Sequence, residues 1–341
     1  MLLLRDAQKS DLPRLKQLAA ELDTINLPNN LAALEALVDR SVRSFSGKIH
    51  APLEREYLFV LEDPSSQTVI GTSLVIAQHG TYEAPHIFYE VTEREHYSAT
   101  LERHFRHKVL SIGYNYAGPT EIGGLVVDRP FRGRPEKPGK QLSYVRFLFI
   151  AMHRRGFREK VLAELLPPLM PDGRSLLWEA VGKKFTGLSY QEADRLSRQN
   201  KEFIKELFPA SDIYASLFPE RTQKVIGEVG FESKAVQQML ERIGFKYVER
   251  IDPFDGGPHY EASTAEISLV KRLRTCRVAE ESLTGSGEEL IVGLDRDAGR
   301  SRFRAVKAPV RIEENQVQLP KEARQLLRVA AGDHVSLIPS G

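Results

Sequence analysis

The stretch Leu125–Ala151, LVVDRPFRGRPEKPGKQLSYVRFLFIA, constrains the fold more than any other. It runs from an apolar strand-like segment through a loop rich in Arg, Lys, Gly and Pro into a helix-like segment. The helix-like segment, which continues to Gly156, is apolar on much of its surface from Gly139 onward, so a helix there must be mostly buried. Backbone N–H groups at a helix start lack internal partners, and the helix dipole adds positive character. Glycine lets a backbone approach an anion closely. Arg132, Arg134, Lys137 and Lys140 add charge, so the junction reads as a phosphate-binding turn. It is not a P-loop, since no Gly-Lys-Ser/Thr follows, and Gly133 and Gly139 do not fit the dinucleotide spacing. A basic, solvated surface loop is the plain alternative.

The flanking sequence sets the order of elements. MLLLRDAQKSDLPRLKQLAAELD predicts a short strand, a turn capped by Ser10 or Asp11, and an amphipathic helix. Pro28 and the asparagines of TINLPNN make a loop before a second helix, LAALEALVDRSVRSF. EYLFVLED and TVIGTSLVIAQ, separated by PSSQ, predict an antiparallel hairpin. Residues 80–118 show no clear period. EIGGLVVD and KVLAELL predict strands on either side of the buried helix, and residues 175–228 predict mainly helix. SKAVQQMLERIGFKYVERIDPFDGGPHYEA predicts helix, Gly turn, strand, tight turn and strand. After about Thr275 the chain becomes linker-like and then β-rich.

The 341 residues allow one large domain with insertions, or two domains with an appendage. A net charge of +2 argues against a protein that coats nucleic acid. Cys276 is the single cysteine, which excludes an internal disulfide framework and suits a reducing, cytoplasmic compartment. Arg5 and Asp6 come too early for a secretory signal, and no window approaches the ~20 apolar residues of a membrane helix. Five of the nine histidines lie between His79 and His107, but His96, His104 and His107 lack metal-ligand spacing, so no metal site and no metal cofactor are expected.

Taken in order, these elements resemble the GCN5-related N-acetyltransferase fold, which binds acyl-CoA. YLFVLED, RFLFIA, LWEAVGKKF, IYASLFPERTQKVIGEV and GFKYVERIDPFDGGPHYEA further resemble the arginine N-succinyltransferase (arginine/ornithine succinyltransferase) family, across nearly the whole chain. The expected class is therefore α+β: a mixed, largely antiparallel sheet flanked by helices, with a small β-rich C-terminal appendage. LWEAVGKKF and MLERIGFKY echo one another, which leaves a duplicated half-domain open. The expected boundaries are 1–165 for a core carrying the CoA loop, 166–272 for a helical segment that closes the core, and 273–341 for the appendage.

The resemblance implies succinyl transfer from succinyl-CoA to the α-amino group of arginine or ornithine. It places the acyl-CoA on Leu125, Val126 and Val127 of the fourth strand of the fold and on Arg132, Gly133, Gly139 and Lys140 of the loop. This loop is about two residues longer than the family's, and Pro135 and Pro138 each remove an N–H donor. The family's proton-donating histidine follows VIGxV, and here that position is Gly230. Glu121, His259 and Glu228 are the candidate substitutes, because acylating an ammonium needs a base and the departing thiolate needs a proton. Asp23, Asp212, Asp255 and Glu261 are candidates for binding the acceptor by residue type, and the resemblance of DTINLPNN to a family loop near the acceptor adds Asn26 and Asn29. Partners are expected to be these small molecules and further copies of this or a related subunit, with no nucleic acid and no membrane. A changed acceptor or donor, a non-catalytic partner subunit, and a nucleic-acid role of the C-terminal segment are the rival readings.

Overall fold

The computed structural model describes residues 1–22, 27–82, 84–197, 200–296 and 301–341. In chain order, β1 (Leu3–Asp6) precedes α1 (Leu12–Leu22), α2 (Leu31–Phe45), β2 (Glu56–Asp63) and β3 (Thr68–Ile76). Then come β4 (His86–Ser98), β5 (Arg103–Asn115), β6 (Thr120–Val127), α3 (Pro138–Met152) and β7 (Lys160–Glu164). Short helices follow: α4 (Leu176–Ala180), α5 (Gly182–Thr186), α6 (Tyr190–Ser197) and α7 (Glu202–Leu207). After β8 (Ile213–Tyr214) and α8 (Glu220–Val225) lie α9 (Lys234–Arg242), β9 (Lys246–Ile251), β10 (Pro258–Ser263) and α10 (Ser268–Lys271). The chain closes with β11 (Arg274–Val278), β12 (Glu288–Asp295), β13 (Phe303–Glu313), β14 (Gln316–Gln318), α11 (Lys321–Leu327) and β15 (His334–Pro339).

These elements form two compact units. The first comprises Met1–Ala77, Thr120–Glu159 and Ser263–Gly341. Its strands run in the order β12-β15-β11-β14-β13-β1-β2-β3-β6. The expected hairpin is β2–β3, with Glu56 opposite Ile76. Leu15, Leu18, Ala19, Leu34 and Val38 of α1 and α2 meet Leu58, Val60 and Leu74 of the sheet in one core. On α3, every residue from Gln141 to Ile150 is buried, which accounts for its apolar sequence. Phe149 of α3 packs on Tyr57 and Phe59, with ring centroids 4.6 and 5.4 Å apart. The C-terminal strands belong to this unit: β13 pairs with β1, Leu3 opposite Val306, over a core that includes Val292, Val317, Leu327 and Leu337. Asp11 turns its carboxylate to Arg5 and to the Gln8 amide.

The second unit comprises Gln78–Pro119 and Lys160–Ala262, with strand order β7-β10-β9-β4-β5-β8. The unread segment is the hairpin β4–β5, thirteen residues in each strand. Burial in β4 is confined to its first half, and Thr92–Tyr97 are all exposed, so no alternation marks the outer part. The helices pack round Trp178, which stacks on Phe254 at 5.1 Å and donates its indole N–H to Leu188 O.

Candidate functional site

In the first unit, β6 does not pair evenly with β3. Thr72 faces Val126 and Leu74 faces Gly123, so Ser73 alone stands opposite Gly124 and Leu125. This is a β-bulge, and Gly124 takes the φ of +57° that such a bulge asks of one residue. A bulge takes a strand's amides out of the ladder, which is what a strand must do to offer them to a ligand. Helix α3 is fastened to this irregularity from behind. Ser73 Oγ donates to Leu142 O at 2.9 Å, and the Arg146 guanidinium donates to Gly123 O at 3.4 Å, Ser143 O at 3.1 Å and Ser143 Oγ at 2.8 Å. Arg146 is 2% exposed, and burial pulls its guanidinium down to about 9.

The loop after β6 leads into α3 at Lys137, whose φ is +54° and whose side chain does not cap the helix. Pro138 occupies the first turn, where a missing N–H costs little. Arg132, Gly133 and Arg134 are exposed; Arg132 donates to Val127 O at 2.7 Å and Arg134 lies 4.0 Å over the Phe131 ring. Gly139 stands beside the Val127 side chain, and Lys140 Nζ donates to Gly341 O. The bulged strand, the basic turn and the start of a fifteen-residue helix thus follow one another directly along the chain. These residues suit an acyl-CoA: a diphosphate at the helix start and an extended amide arm along β6. Val126 is buried, and Leu125 and Val127 are half-buried. Glu121, five residues before Val126, is 2% exposed and lies across β3 from Glu56, whose carboxyl is raised by burial and by Glu121.

In the second unit, Gly230 N donates to Leu166 O at 2.8 Å, and Leu165 N donates to Pro258 O at 3.1 Å. These bonds set Gly230 and His259 on either side of the end of β7. His259 is fully buried, and its Nε2 lies 3.4 Å from Glu164 Oε1. His86 Nε2 lies 3.2 Å from the same oxygen. Burial alone would lift the Glu164 carboxyl, but the charge of His259, the hydrogen bond from His86 and the nearby His79 hold it well below the usual range. Glu228 is exposed on the turn before Gly230. Asp255 accepts from Gly257 N at 2.7 Å within its own turn and is raised well above normal, by burial first and then by Asp252. Asp212 accepts from Ser111 Oγ at 2.6 Å and pairs with Arg94. Glu261 pairs with Lys160. Asn26 and Asp23 lie outside the described residues. His79, His86 and Glu164 were not read as a group from sequence; only the density of histidines after His79 hinted at them.

Two family models cover the chain: "Arginine N-succinyltransferase beta subunit" matches residues 2–269, and its C-terminal domain matches residues 274–339. The arginine N-succinyltransferase of Yersinia pestis (strain Pestoides F) is 31% identical over 348 residues, covering 99% of this chain and 97% of the relative. That of Salmonella paratyphi B is 33% identical over 344 residues, with the same coverage. The solved structure of arginine/ornithine succinyltransferase subunit AI from Pseudomonas aeruginosa superposes with a TM-score of 0.85 at 29% identity, covering 100% of this chain and 99% of that one. The chain belongs to the arginine N-succinyltransferase family and has its acyltransferase fold.

Proposed function

We propose that this chain transfers a succinyl group from succinyl-CoA to the α-amino group of L-arginine. The single observation that carries the reading is the bulge at Gly124 beside the start of α3, in a chain matched from end to end by the family. The diphosphate is assigned to the amides and side chains of Arg132, Gly133, Gly139 and Lys140, and the pantetheine arm to the backbone of Leu125, Val126 and Val127. The amine nitrogen attacks the thioester carbonyl, a C–N bond forms, the C–S bond breaks and the thiolate takes up a proton. Orientation alone supplies a large part of such a rate.

Glu121 is the base we assign, because it stands on the bulged strand itself. His259 and Glu228 are assigned to proton transfer on their chemistry; an imidazole held by a carboxylate, as His259 is by Glu164, carries protons in both directions. Asp212, Asp255 and Asn26 are the acceptor candidates, carboxylates and an amide suited to a guanidinium and an α-ammonium. The compartment we infer is the cytoplasm, where succinyl-CoA and reduced Cys276 belong together; among the described residues no helix is long and apolar enough to cross a membrane. The related structure is named as a subunit, so assembly with like chains is part of the proposal.

The test is thiol release from a panel of acyl-CoAs against a panel of amines. Succinyl-CoA with arginine should give the highest kcat/KM. Release with another amine but not with arginine or ornithine overturns the acceptor assignment.

A further inference from the structure

We infer that His79, His86 and Glu164 form a binding site for a divalent transition-metal ion of the zinc class. The site lies wholly within the second unit, and the inference stands whether or not succinyl transfer is the reaction. One ligand atom from each of the three residues falls within 4.8 Å of the other two. His86 Nε2 lies 3.2 Å from Glu164 Oε1. Two donors bound at ~2.1 Å to one tetrahedral ion stand about 3.4 Å apart, so this pair is already at coordination spacing. The rings of His79 and His86 lie 4.6 Å apart, edge to face, with a nitrogen of each within 4.8 Å of the other and of the Glu164 carboxylate.

The backbone is shaped to bring them together. Gly80 has φ +82°, and a Cβ there would fall 2.4 Å from Asn115 O and 2.7 Å from His86 N. At Gly118 a Cβ would fall 2.1 Å from His79 O. Both glycines therefore permit a backbone approach that presses the His79 turn against the start of β4. Glu164, the last residue of β7, supplies the carboxylate.

The surroundings match those of a metal ligand set. His259 Nε2, 3.4 Å from the same Glu164 oxygen, is placed to donate its N–H and fix the carboxylate's orientation, as outer partners of ligating groups do. The His259 and His86 rings stack at 5.1 Å. His86 is 2% exposed, while Glu164 and His79 are half-buried, which leaves an entry path. Imidazole and carboxylate donors suit zinc and its neighbours rather than magnesium or calcium. Three protein ligands leave one position for water or another small molecule, the arrangement of an exchangeable rather than a closed structural ion.

The experiment is zinc binding by the full chain after treatment with chelator and gel filtration, with cobalt as an optical probe. One zinc per chain is expected, with the visible absorption of low-coordinate cobalt. His79→Ala and Glu164→Gln should each weaken binding by about tenfold or more. His104→Ala on β5, in an exposed pair with Glu95 of β4, should change nothing. His86 is fully packed and its alanine variant can unfold, so half-exposed His79 and the isosteric Glu164→Gln change carry the test. No zinc retained by the folded wild-type chain, or equal affinity in the His79 and Glu164 variants, overturns the inference.

Discussion

The Arg146 guanidinium lies 3.4 Å from the carbonyl oxygen of Gly123, one residue before the left-handed Gly124. A buried cation on α3 thus grips the strand where its ladder breaks, and carbonyl and hydroxyl oxygens are the acceptors drawn to it. Removing it takes away an expensive charge as well as its hydrogen bonds, and the two offset one another. Arg146→Met should therefore change stability by no more than about 2 kcal/mol in denaturant unfolding. The same variant should bind CoA at least tenfold more weakly in calorimetric titration, because the bulge loses its brace.

Gly124 itself should not tolerate a side chain. A non-glycine residue at φ +57° costs about 1–2 kcal/mol, and a β-branched one prefers to straighten the strand. Gly124→Val should lower the melting temperature and raise the KM for the acyl-CoA, with a smaller effect on the KM for arginine.

Restoring the family's histidine should fail. A Cβ at Gly230 would fall 2.6 Å from Pro167 O and 3.0 Å from Leu166 O, both backbone atoms that cannot swing aside. Gly230→His and Gly230→Ala should each destabilise by about 1–3 kcal/mol, and the histidine should confer no gain in kcat. A rise in kcat with unchanged stability would show that the backbone yields there.

Asp6 gives a pH signature. Its carboxyl is raised to about 6, by burial first, against the opposing bond from Phe303 N at 3.1 Å. The unfolded chain ionises Asp6 near the ordinary aspartate value of 3.8, so between that pH and 6 the native state holds more protons. The ionised group therefore costs stability above pH 6, on the order of 3 kcal/mol, and this cost disappears below the unfolded value. Asp6→Asn should gain stability relative to wild type at pH 8 and lose that advantage at pH 4, measured by urea unfolding.

Local signals carried much of this fold. The β2–β3 hairpin, buried α3 and the Gly turn before β9 follow from period, cap and turn residues close together in the chain. The β4–β5 hairpin did not, because its outer half faces solvent on both sides and loses the alternation that marks a half-buried strand. Nor did the pairing of Leu3 with Val306, which joins the two ends of the chain through backbone bonds that leave no mark on side-chain pattern. The charges and glycines of the loop at α3 mark it in the sequence as a candidate anion turn, whereas nothing marks the bulge, since Gly124 sits in an apolar run like any strand glycine. His79 and His86 approach where Gly80 and Gly118 allow close backbone contacts, Glu164 comes from the distant β7, and no local spacing encodes that.

If the start of α3 holds the diphosphate of the acyl donor and bulged β6 holds its arm, a crystal structure with succinyl-CoA shows it. The diphosphate should lie on the main-chain amides just ahead of Gln141 and the pantetheine alongside Leu125–Val127. Density for the nucleotide at another surface, with this turn unliganded at saturating donor, would refute this mode of binding.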